Sequence, residues 1–227
     1  SGCTSSSGVT CNVTMDAIKT VTATFALAPN VMFVTSGSTE ILGVAWLRNA
    51  NAICKNAAAQ STRGIQGEGP HQNTTWIPWI SGFDSLSTPT PGALVTAANR
   101  LQNVAGWERV DRRPFLQKLS DIANNVIIYP PRIDENGADV GVNALTWTGT
   151  DPSGGHSESS CIGFNQGVAS SWLNAQVNGT QGLASANSQE FTRFTENSCV
   201  GTRRLYCFGA DRKAAITVTR KPGRQAC

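Results

Sequence analysis

A chain of 227 residues with 40% hydrophobic content, six Trp and eight Phe carries the apolar area of a substantial core, which excludes a disordered chain. Charged residues make up only 15%, with Thr, Ser, Asn and Gly in their place, a balance that suits a β-rich extracellular protein better than a cytosolic enzyme. The net charge of +3 hides an asymmetry: from Arg203 onward seven Lys or Arg face only Asp211, leaving eleven basic against fourteen acidic residues before them.

That basic end either meets an anionic surface or simply keeps a solvated tail soluble. Nothing in it points to specific nucleic-acid binding. The cysteines at 3, 11, 54, 161, 199, 207 and 227 contain no CxxC pair and are accompanied only by His71 and His156. Disulfides in an oxidising compartment explain this usage better than zinc or redox chemistry. No run of eighteen apolar residues occurs, so no transmembrane segment is expected.

Residues 1–29 read as β structure, with Cys3 and Cys11 around a Ser/Gly turn and alternation through Val13, Met15, Val21, Ala23 and Phe25. A Cys3–Cys11 disulfide would staple this hairpin. The stretch GCTSSSGVTCNVTMDAIKTVTATF resembles the C-terminal half of a divergent internalin-type B repeat, a small β module of bacterial surface proteins. Half of such a module leaves an edge to be covered by the chain or by a neighbour.

Val31–Ser36 is a compact apolar strand, and Ile41–Gln60 is Ala-rich, with Val44, Leu47, Cys54 and Ala58 at helical spacing. A helix is expected from near Gly43. Thr74–Ser81 is a strand confined by Pro78 to an edge, an end or a bulge, and a short helix is expected over Ala93–Leu101. Residues 106–133 show no clean period, with a short extended segment over Val126–Ile133. Asp134–Gly141 is a turn, Asn143–Thr150 a strand, and the following region through Gln189 is poor in regular structure. Arg204–Phe208 closes the core as a strand with Leu205 and Cys207 on one face and Arg204, Tyr206 and Phe208 on the other, and Ala214–Arg220 alternates like an added strand.

Four cysteines thus fall on an early helix, before a long loop, after it, and on the last core strand. This order resembles the C-type lectin-like fold. MFVTS, AICKNAAA, WIPWIS, ANRL, IDENG, LTWTGT and RLYCF, in that order over residues 31–209, also resemble a bacterial secreted family of unknown function with a lectin-like or endostatin-like fold. The resemblance implies an α+β fold with a mainly antiparallel sheet, and disulfides Cys54–Cys207 and Cys161–Cys199. It also implies three parts: a partial β repeat at 1–29, the lectin-like domain at 30–209, and a basic tail at 210–227. Phe164 stands where that family's pattern leads one to expect Trp.

The EPN, QPD and WND tripeptides of calcium-dependent sugar binding are missing, so that route is not expected. Asp134, Glu135, Asn136 and Asp139 gather oxygens around Gly137, which either hold calcium or form a plain Asn-Gly turn; Asp151 joins only if the fold returns the loop. His156 in GGHSESS lies beside serines but in no GxSxG elbow, so catalysis there is not expected, and the chain reads as a non-enzyme. Trp76, Trp79 and Trp147 are expected in the core. Trp172, Asn165, Asn174, Asp151 and His156, in or next to the long loop, are the candidate ligand contacts. Asn12, Asn73 and Asn178 begin N-x-Thr sequons, attributed to chance. Cys227, left over after three pairs, either links to another chain or is an unused thiol.

The expected function is an extracellular or surface-displayed adhesion module that contacts glycan or protein through residues 151–198. The alternative is a structural subunit of an extracellular assembly, self-associating through the N-terminal hairpin and the C-terminal strand.

Overall fold

The structure, a computed structural model, describes residues 3–7, 10–14, 16–18, 20, 28–40, 46–83, 93–159, 161, 178–213 and 216. In chain order the hairpin β1 (Ser5–Ser7) and β2 (Thr10–Asn12) is followed by β3 (Asn30–Val34), β4 (Thr39–Glu40) and α1 (Trp46–Gln60). Next come β5 (Trp76–Pro78), β6 (Gly82–Phe83), β7 (Leu94–Val95), α2 (Ala97–Arg100), β8 (Trp107–Arg109), β9 (Pro114–Leu116) and α3 (Ser120–Ala123). The last elements are β10 (Leu145–Trp147), β11 (Asn178–Leu183), β12 (Thr195–Ser198), β13 (Thr202–Arg203) and β14 (Tyr206–Gly209). The molecule is mixed α+β, mostly sheet with few helices.

The central sheet has the order β5-β14-β3-β8-β9, antiparallel except for the parallel β3–β8 pair. β3 and β14, adjacent inner strands, are buried on both faces, as the large side chains of Val31–Val34 and of Tyr206 and Phe208 require. On one face Val31, Phe33, Leu205 and Cys207 pack with Trp76 and with the Leu47, Ala50, Cys54 and Ala58 stripe of α1. The small side chains at 50, 54 and 58 let the helix lie close to the sheet. On the other face Met32, Val34, Tyr206 and Phe208 meet Trp79, Trp107, Phe115 and Phe191 in an aromatic cluster, with Phe191 and Tyr206 centred 4.8 Å apart.

Cys54 on α1 bonds Cys207 on β14, both side chains fully buried. Loop-closure entropy assigns this link about 5 kcal/mol of stability over its 153-residue separation. β10, β11 and β12 form a second, antiparallel sheet, and Cys161–Cys199 closes the segment that leaves and re-enters it. Cys3 is also disulfide-bonded. The side chain of Cys11, its expected partner, lies outside the described residues, as do Cys227 and nearly all of the 214–220 strand.

Several expected elements are corrected. The Thr74–Ser81 strand shrinks to β5, which lies at a sheet edge and ends at Pro78, where the missing N–H removes a donor. The stretch 106–133 holds the β8–β9 hairpin and α3, whereas the segment 126–133 contains no regular strand. The region after Thr150 includes β11, whose two glycines mask it as a loop. Of the expected helix from Gly43, Trp46–Gln60 is helical, and 41–45 lie outside the described residues.

Candidate functional site

The ends of the 151–198 segment are held by buried hydroxyls. Thr148 Oγ1 donates to Thr192 O (2.6 Å) and Thr150 Oγ1 to Thr148 O (2.6 Å), while Trp79 Nε1 donates to Thr192 Oγ1 (2.9 Å). Ser157 and Thr180 share a hydrogen bond of 2.7 Å, and Thr180 Oγ1 donates to Ser159 O (2.6 Å). Each hydroxyl is buried with a partner, so the network fixes the strand β11 and the 151–159 turn relative to β10.

Asp151 acts inside that turn. Its Oδ1 accepts from Ser153 N (2.8 Å), Ser153 Oγ (2.6 Å) and Gly155 N (3.0 Å), the pattern by which an aspartate closes a turn on its own backbone. Gly154, at φ +85°, brings the backbone against Ala98 and Trp79 where a Cβ would not fit. His156 pairs with Thr150 across a β-bridge and is half-buried. Desolvation by burial lowers its pKa, opposed by the Asp151 charge.

At the other end of the segment, the Cys161–Cys199 bridge lies over Gly179, the position on β11 where a Cβ would overlap Cys161 Sγ and crowd Trp147. Trp147 and Gln181 are register partners on β10 and β11. The Arg203 guanidinium sits 5.5 Å over the Trp147 ring, and its Nε donates to Gln181 Oε1 (3.0 Å), so one cation is oriented by both. Trp147 Nε1 and Gln181 Nε2 are buried and have no acceptor among the described residues. Around this base Phe194 (47% exposed) and Val200 (57%) turn apolar side chains to solvent, and Arg193 and Glu196, on either side of Phe194 in the chain, pair at 3.2 Å.

Of the candidate ligand contacts, Asp151 and His156 are thus placed in the turn after β10, whereas Asn165, Trp172 and Asn174 lie outside the described residues. Arg203, Gln181, Phe194 and Val200 are additions from the structure. Alternation offered a signal for Arg203, which shares parity with the inward Leu205 and Cys207. Gln181 and Phe194 carry no comparable signal.

The acidic turn is engaged elsewhere. Asp134 Oδ1 accepts from Asn136 N (2.9 Å) and Ala138 N (2.8 Å), and Gly137 takes φ +86°. Glu135 Oε2 accepts from Ser36 N (2.9 Å), and its Oε1 is bonded by the Ser36 hydroxyl. Asn136 Oδ1 accepts from Thr62 N (3.1 Å), and Asp139 is paired with Arg132 at 2.5 Å. These oxygens point at different neighbours: the turn docks β3 and the end of α1. Among the described residues no group of three or more His, Cys, Asp or Glu is arranged to hold a metal ion, and no helix is long and apolar enough to cross a membrane.

No family model matches the chain, and no curated protein matches it.

Proposed function

We propose that the chain is a secreted or surface-displayed recognition domain of C-type lectin-like build, which contacts glycan or protein through the surface around β11, β12 and the Cys161–Cys199 bridge. The observation that carries this reading is the pair of exposed apolar side chains, Phe194 and Val200, flanking β12 at the disulfide. Exposed apolar groups on a rigid, polar-rimmed base are what a binding surface needs, because little ordering entropy is lost on contact. The lectin-like build is supported by the helix-to-last-strand and loop-closing disulfides, and the extracellular setting by the presence of disulfides at all. Fold alone assigns no ligand, and the carboxylates of the acidic turn are already engaged, so the reading does not invoke calcium.

The test is a glycan array and a surface-binding assay on the full chain, repeated with Phe194→Ser and Val200→Ser. Binding that weakens at least tenfold in either variant, with an unchanged denaturation midpoint, supports the surface. Absence of binding above background, or binding indifferent to both substitutions, rejects it.

A further inference from the structure

Three described residues other than glycine have positive φ: His71 (+61°), Arg112 (+67°) and Asn125 (+59°). Asn125 is accounted for, since it follows the C-terminus of α3, where asparagine commonly takes this conformation, and its Oδ1 accepts from Gln189 N (2.8 Å). The other two stand on separate loops, far from the disulfide-closed segment in sequence, yet converge on one atom. His71 Nδ1 lies 2.5 Å and Arg112 Nη1 2.7 Å from Glu108 Oε1.

Arg112 is at the tip of the β8–β9 hairpin, closed by Arg112 N to Arg109 O (2.9 Å) and Arg109 N to Arg113 O (2.8 Å). A three-residue hairpin loop reserves this position for a left-handed residue, by preference glycine. His71 lies in the 61–75 loop, which the Arg212 guanidinium clamps through Gly69 O (2.9 Å) and Gln72 O (2.7 Å). Both backbones are therefore rigidly held in a conformation disfavoured for their side chains, a kind of strain that gathers at ligand clamps.

The charges do not balance locally. The Glu108 side chain is 8% exposed and needs one counter-charge, but two cation-capable groups reach it, with side chains 40% (His71) and 45% (Arg112) exposed. A protonated His71 has Nδ1 on Glu108 and Nε2–H left over, and Arg112, its side chain 45% exposed, spends Nη1 on Glu108 and keeps further N–H donors. Arg113, 60% exposed, adds to the positive side, since its partner Asp111 at 3.7 Å is already held by Arg109.

We propose that His71 and Arg112, held in place by Glu108, form a binding site for the oxyanion of a carboxylate, sulfate or phosphate group. Glu108 is a positioning residue: it sets the ring and the guanidinium side by side so that their free N–H groups address the same anion.

The test uses the full chain in mildly acidic buffer. The His71 imidazole signals are followed by NMR, assigned by their loss in His71→Gln, while phosphate, sulfate or acetate replaces chloride at constant ionic strength. A saturable shift with at least one oxyanion is expected, and comparing the arms distinguishes a tetrahedral from a planar group. Arg112→Gly suits φ +67° and is expected to keep or raise the denaturation midpoint while weakening binding at least tenfold. The proposal is overturned if no oxyanion moves the signals beyond chloride, or if Arg112→Gly binds as well as the parent chain. It is equally overturned if Arg112→Gly lowers the midpoint, which would make Arg112 a structural counter-charge to Glu108.

Discussion

Asn73 Nδ2 donates to Asn30 Oδ1 over 2.8 Å, and neither side chain is exposed to solvent. The same Asn73 accepts through Oδ1 from Val31 N (2.8 Å), and Asn30 Nδ2 donates to Ala105 O (2.9 Å) and Arg212 O (3.0 Å). Two amides thereby join the 61–75 loop, the start of β3, the entry to β8 and the exit of β14. Asn73→Ala strips Val31 N–H of its acceptor inside the core and takes one of two donors from Asn30 Oδ1, which keeps Arg212 N (3.1 Å). The unmet buried N–H costs roughly 1–3 kcal/mol and the lost amide–amide bond roughly 0.5–1.5 kcal/mol, so a loss of about 2–4 kcal/mol is expected in urea denaturation. The burial also makes this sequon unusable in the folded chain, whatever the host.

The two described intramolecular bridges differ in accessibility. Cys54 and Cys207 are fully buried, whereas Cys161 is partly exposed. Under graded reductant with alkylation and mass spectrometry, Cys161–Cys199 is expected to open first, with Cys54–Cys207 surviving until the domain unfolds. Replacing each pair by Ala is expected to cost up to about 4 kcal/mol for the 38-residue closure and about 5 kcal/mol for the 153-residue one. The opposite order of reduction would contradict the packing of α1 on β14.

Gly182 on β11 faces Phe191, and a Cβ there would overlap the Phe191 carbonyl oxygen and lie 2.8 Å from its carbon. Backbone atoms cannot swing away as a side-chain end can. Gly182→Ala is therefore expected to cost at least about 3 kcal/mol, read as a lowered urea midpoint, and to separate the second sheet from the aromatic cluster that Phe191 joins. Gly37→Ala, where nothing lies within 4 Å, serves as the neutral comparison.

The elements legible in the sequence are those whose signals are local. β3 and β14 were legible because their large side chains demand burial on both faces, and α1 because Leu47, Cys54 and Ala58 keep helical spacing. β8 and β9 were not. They are three residues each, their turn puts Arg112 where glycine would announce a hairpin, and Glu108 and Arg109 are charged yet buried. Their burial depends on partners supplied by other positions: His71 and Arg112 for Glu108, Asp111 and Pro130 O for Arg109. β11 was hidden for a related reason, since Gly179 and Gly182 lower strand propensity but make room for the disulfide and for Phe191. At the candidate surface the cysteines marked where the segment begins and ends, but the Arg203–Trp147 stacking and the Gln181 contact arise only when three strands assemble.

His156 provides a pH probe of the turn after β10. Burial disfavours its charged form and lowers its pKa from the usual 6.5, and the Asp151 charge offsets part of that effect. In the unfolded chain the imidazole titrates near 6.5, so as pH falls the unfolded state takes up its proton first. The contribution of His156 to stability is accordingly complete above about pH 6.5, declines as pH drops toward the folded-state pKa, and is lost below it. NMR titration should place the His156 midpoint below that of an unfolded reference peptide, and Asp151→Asn should lower it further by removing the one opposing charge. If the Asp151→Asn midpoint rises instead, loss of the Asp151 turn has opened the site to water, and the coupling between the two residues is mechanical, through Ser153 and Gly155, instead of electrostatic.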